Sequence, residues 1–130
     1  MEKIGEMYQS DDWKTEKHVP VIEIKGEAKE GEEIVVEASV GKEVEHPNTT
    51  EHHIEWITLY FHPEGGKFPY ELGRFTFNAH GASAEGPNTS TVYTEPKLKA
   101  VFKTEKPGTI LATSYCNIHG LWTSEKKLEL

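Results

Sequence analysis

Short alternating segments, cut apart by glycine, proline and asparagine, constrain this chain more than any other feature. Ile34, Val36, Ala38 and Val40 alternate with Val35, Glu37 and Ser39, the pattern of a half-buried strand. Ile54 to Phe61 is rich in β-branched and aromatic residues, with Ile57, Leu59 and Phe61 expected on one face and Trp56, Thr58 and Tyr60 on the other. Phe75, Phe77 and Ala79 form a further alternating set, as do Leu98, Ala100 and Phe102. Val19 to Ile24, Ile110 to Tyr115 and Leu121 to Leu130 complete about seven short strands. Turn signals such as Lys25-Gly26, Gly65-Gly66, Gly86-Pro87-Asn88 and Lys106-Pro107-Gly108 separate them. No window holds a helical period beyond two turns. An all-β fold follows, an immunoglobulin-like antiparallel sandwich.

The 130 residues suit a single domain, 1–130, with a charged arm over 1–12. Hydrophobic residues make up 35%, enough for one core. No apolar run reaches the roughly 20 residues of a membrane helix. Met1-Glu2-Lys3-Ile4-Gly5-Glu6 lacks the basic-then-apolar order of a secretory signal, so a cytoplasmic location is expected. A net charge of −8 leaves no general basic face for nucleic acid. Pro47-Asn48-Thr49-Thr50 is echoed by Pro87-Asn88-Thr89-Ser90, both reading as turns. Both match an N-glycosylation acceptor, which carries little weight without a sign of secretion.

Seven histidines against a single cysteine is the informative ratio. Cys116-Asn117-Ile118-His119 ends one predicted strand, and Gly120 lets the backbone turn back. Cys and His three apart can reach one metal, although a buried free cysteine beside an exposed histidine is the plainer explanation of a lone pair. His46 and the His52-His53 pair flank a Pro-Asn turn. Neighbours on an extended segment face opposite ways, so at most one of His52 and His53 joins His46. Glu16-Lys17-His18 precedes Val19-Pro20; if extended, it turns Glu16 and His18 one way and Lys17 the other. His62 and His80 lack ligand-type neighbours in sequence and read as structural or solvated.

A thiolate with several imidazoles favours iron, copper or zinc over magnesium or calcium. Structural zinc would take four ligands in a closed tetrahedron. A cupredoxin-like electron carrier also uses a sandwich with Cys and His near a late strand. It normally adds a weak axial Met after the second His, whereas the methionines here are Met1 and Met7. Four imidazoles and one thiolate suit an iron with one open octahedral position.

The chain resembles the superoxide reductases of the neelaredoxin type, one-iron relatives of desulfoferrodoxin. The resemblance rests on Glu16-Lys17-His18-Val19-Pro20-Val21-Ile22, His46-Pro47-Asn48-Thr49-Thr50-Glu51-His52-His53-Ile54, Gly86-Pro87-Asn88-Thr89-Ser90 with Val92-Tyr93-Thr94-Glu95-Pro96, and Ser114 to Trp122. It implies one mononuclear iron held by His18, His46, His52 and His119, with Cys116 axial. It also implies Glu16 as sixth ligand in the ferric state and Lys17 as the residue that attracts the substrate anion. The implied reaction is one-electron reduction of superoxide to hydrogen peroxide, with rubredoxin or a similar donor, in a homo-oligomeric dimer or tetramer. Because the extended geometry would turn Lys17 away, an irregular loop is expected there. Backbone N–H groups of 117–120 are expected donors to the Cys116 sulfur.

Overall fold

The computed structural model describes residues 2–130. Seven strands form in order: β1 (Val21–Lys25), β2 (Ile34–Ser39), β3 (Ile54–Pro63), β4 (Tyr70–Thr76), β5 (Lys97–Phe102), β6 (Gly108–Cys116) and β7 (Gly120–Leu128). They make two antiparallel sheets, β1-β2-β5 and β4-β3-β6-β7, the expected immunoglobulin-like sandwich. The predicted inner face of β3 is found: Ile57, Leu59 and Phe61 are buried, facing Val36, Ala38 and Ala100 of the smaller sheet within one core cluster. Among the described residues, no helix is long and apolar enough to cross a membrane.

Two expected boundaries move. The expected strand around Phe75 to Ala79 instead spans Tyr70–Thr76 and ends before Phe77. It is an edge strand, and its register against β3 shifts between Leu59 and Tyr60. An edge needs no strict alternation, so Phe75 is exposed while Phe77, beyond the strand, is buried. The first strand starts at Val21 rather than Val19, because the chain bends through 17–19 and Pro20 has no N–H to donate.

On the small sheet, Glu23 and Glu37 lie directly opposite each other, a destabilising juxtaposition unless compensated. Lys97 and Lys99 lie 3.6 and 3.8 Å from Glu37. Lys25 (2.8 Å) and Lys42 donate to Glu23. Hydrogen bonds from Lys25 and then Lys42 pull the Glu23 carboxyl down to about 2. A folded value below the unfolded one means stability that is present above the unfolded value, near 4.5, and lost as pH falls toward 2. Glu23 keeps 24% of its side chain in solvent, so the expected contribution is only about 1 kcal/mol. Denaturant unfolding of Glu23→Gln should show that loss at neutral pH and a flatter acid limb than the parent. An acid limb identical to the parent's would contradict it.

Candidate metal centre

Three segments converge at one end of the sandwich. β6 and β7 are joined by Asn117-Ile118-His119, and Cys116 pairs with Gly120 across the turn. Gly120 closes it at φ +82°, a left-handed conformation that glycine adopts freely. The turn projects Cys116 inward, fully buried, and His119 outward, exposed. The His119 N–H donates to Cys116 Sγ at 3.3 Å, one of the sulfur donors anticipated in 117–120.

The His18 segment is tied down from the large sheet. Ser114 Oγ donates to the His18 carbonyl (3.3 Å) and Ser124 Oγ to the Pro20 carbonyl (2.6 Å). Trp122 stacks on the His18 ring at 5.0 Å between centroids. Gln9 pairs alongside Trp122, and its side-chain amide donates to the His119 carbonyl at 2.8 Å. The third segment, His46 to His53, is braced by its sequence echo. Thr50 N–H donates to Asn88 Oδ1 (2.9 Å), and Asn88 N–H donates to Thr50 Oγ1 (3.1 Å). Asn88 holds a positive φ of 58° to make this contact.

His18, His52, Cys116 and His119 each offer a ligand atom within 4.8 Å of the others. His46 completes the group: its Nε2 lies 3.5 Å from Cys116 Sγ, and its ring lies 4.8 Å from those of His18 and His52. Tautomers follow from the partners. His46 Nδ1 donates to the Pro47 carbonyl (2.6 Å) and His18 Nδ1 to Glu16 Oε1 (2.6 Å), leaving both Nε2 lone pairs inward. His18 Nε2 and His119 Nδ1 stand 3.1 Å apart. Two imidazole nitrogens at about 2.1 Å from one ion and at right angles would stand about 3.0 Å apart. His52 Nε2 is buried with no hydrogen-bond partner. An orphaned lone pair among three other imidazoles and a thiol is what a metal ion satisfies. The donor set therefore fits a bound metal.

Burial favours the neutral form at three of these imidazoles. Burial lowers His46 to about 4, overcoming the opposite pull of its bond to Pro47. Burial also lowers His18 and His52, and the Lys17 charge adds to the lowering at all three rings. The chain bends through 17–19 instead of running extended, the irregular geometry expected for this segment. Burial works to raise Glu16, but hydrogen bonds from the His18 backbone and ring outweigh it and hold the carboxyl below its usual range.

His53 points away from the cluster, in agreement with the opposite-face argument. Its Nδ1 donates to the Thr49 carbonyl (2.8 Å), Nε2 meets Glu55 Oε1 (2.6 Å), and its ring stacks on His80 at 3.5 Å and 7°. His80 thus has ligand-type neighbours in space that its sequence surroundings conceal. Nearly parallel rings share no common in-plane point for an ion, so this group is a strut behind the His52 loop. His62 is structural too, bonded through Nε2 to the Gly66 carbonyl at 2.7 Å.

The profile of the desulfoferrodoxin family matches residues 10–125. Superoxide reductase from Pyrococcus furiosus is 60% identical, over 97% of this chain and 99% of that protein. Neelaredoxin from Megalodesulfovibrio gigas is 52% identical, over 98% of each chain. The solved structure of superoxide reductase (neelaredoxin) from Archaeoglobus fulgidus in the reduced form superposes with a TM-score of 0.90 at 60% identity, over 95% of this chain and 99% of that one. The histidine–cysteine cluster, the sandwich that carries it and these near-full-length matches agree: the chain belongs to the desulfoferrodoxin family.

Proposed function

We propose that this protein is a superoxide reductase, converting superoxide to hydrogen peroxide with one electron and two protons. The observation that carries the proposal is the convergence of four imidazoles and one thiol from three distant segments, in a chain near-fully matched by superoxide reductases. His18, His46, His52, His119 and Cys116 would hold a single iron ion, which when bound supplies the electron by cycling between ferrous and ferric states.

The protein's own residues do the rest. Cys116 sits inward and His119 outward, so access is from the solvent side. Lys17 offsets the overall negative charge locally and draws in the anion. Glu16 orients His18 through Nδ1, fixing the ring as a carboxylate partner does in metal sites. Glu16, two residues before His18 and bonded to its ring, would be the carboxylate placed to serve as a sixth ligand to the ferric ion. Solvent at this open face supplies the two protons. An external one-electron donor, of the rubredoxin kind, restores the reduced state after each turnover. The whole chain acts as one domain, in the cytoplasm, as a homo-oligomer.

Glu16→Ala should leave superoxide consumption largely intact. It should change the ferric absorption spectrum and tighten azide binding to the ferric protein. An unchanged spectrum together with unchanged azide affinity would remove Glu16 from the sixth position.

A further inference from the structure

The four imidazoles are not held alike. His18 and His46 each give their outer N–H to an acceptor, Glu16 and the Pro47 carbonyl. Among the described residues, the rings of His52 and His119 have no carboxylate or carbonyl acceptor. They are also the two less buried rings. The aim of these two side chains therefore depends on how their backbones are fixed.

The β3–β6 ladder does not reach far enough to fix them. Its last register pair is Ile54 with Cys116, and the pairing is already irregular between Ile54 and Trp56. Beyond that point His52 lies two residues before β3 and His119 in the β6–β7 turn. Among the described residues, the hydrogen bonds that join these two segments all involve Asn117. Its Oδ1 accepts the His53 N–H (2.9 Å), its Nδ2 donates to the Glu51 carbonyl (2.9 Å), and its own N–H donates to the His53 carbonyl (3.2 Å). Glu51 and His53 are the chain neighbours of His52. Asn117 follows Cys116 and precedes His119 by two residues. A carboxamide used at both ends cannot rotate without losing a bond, so the contact sets an angle as well as a distance.

We infer that Asn117 is a positioning residue of the metal centre, locking the Cys116–His119 turn to the backbone on both sides of His52. This inference rests on the metal-centre assignment above. Asn117 touches no ligand atom; it acts through the residues beside it. Its role is to hold the thiol and the His52 nitrogen at a set separation before the ion arrives, which lowers the ordering cost of binding.

The test uses Asn117→Ala and Asn117→Asp in the full chain. Three quantities are read: ferrous-iron affinity by chelator competition, the ferric thiolate absorption band, and denaturant unfolding of the metal-free protein. The alanine variant should bind ferrous iron about tenfold or more weakly, with its ferric band shifted or broadened. The aspartate variant keeps an acceptor for the His53 N–H and loses the donor to Glu51, so it should fall between. Affinity within about twofold of the parent and an unmoved band would overturn the inference. Reduced metal-free stability with unchanged iron affinity would overturn it as well, marking a structural bond only. If the alanine variant does not fold, the aspartate variant decides by the same limits. If the parent itself binds no iron through a thiolate, the metal-centre assignment fails first and this inference falls with it.

Discussion

Cys116→Ser should abolish the thiolate-to-iron absorption of the ferric protein while leaving the sandwich folded. The sulfur is fully buried, receives the His119 N–H, and faces His46 Nε2 at 3.5 Å and His119 Nδ1 at 3.8 Å. No other thiol can replace it, since Cys116 is the single cysteine. Serine preserves a small polar atom that can accept the His119 N–H, so the turn has a substitute for its internal bond. It does not preserve the ligand. A hydroxyl stays protonated where a thiol ionises, and oxygen is a harder donor than sulfur. The colour should disappear outright, and iron should be held at least about tenfold more weakly. A ferric band of the same energy and intensity in the serine variant would remove Cys116 from the centre.

Lys17→Ala should slow capture of superoxide by about tenfold at low ionic strength and flatten its salt dependence. The protein carries a formal charge of −8 and the variant −9, so a small anion meets repulsion at long range in both. What differs is the local field. Lys17 is the chain neighbour of His18, and its charge is felt at the His18, His46 and His52 rings. Salt screens such steering over about 10 Å at 0.1 M, so the parent's advantage should fade as salt rises. Lys17→Arg should retain most of the rate. Rapid-mixing or pulse-radiolysis measurement of the second-order rate constant decides the matter. An unaltered rate in the alanine variant at low salt would exclude Lys17 from substrate capture.

Much of this site is visible in the amino-acid order because its parts sit where strands end. The alternation in β2, β3 and β6 locates the core face, and those strands then deliver Cys116 and His52 at their termini. The C-x-x-H spacing followed by Gly120 is local information, contained within one tight turn. What escapes the sequence is what depends on exceptions to period two. β4 is displaced because an edge strand with an irregular register packs few side chains, so Phe75 and Phe77 follow no common rule. Strand parity does not govern Lys17, because the chain bends through 17–19. The stack of His53 on His80 joins two connecting segments far apart in the sequence, with no mark in either neighbourhood. Asn117 falls between the Cys and His of the C-x-x-H spacing, and its clamp becomes evident only when the Glu51 to His53 backbone is laid beside it.

The proposed centre is five side chains around one iron ion. Iron K-edge X-ray absorption of the reduced protein, purified from iron-replete cells, tests that directly. We expect iron in five-fold coordination, with one sulfur from Cys116 and four imidazole nitrogens from His18, His46, His52 and His119. A protein with no iron, one holding copper or zinc in its place, or an iron shell without sulfur or with all six positions filled by protein, would contradict it.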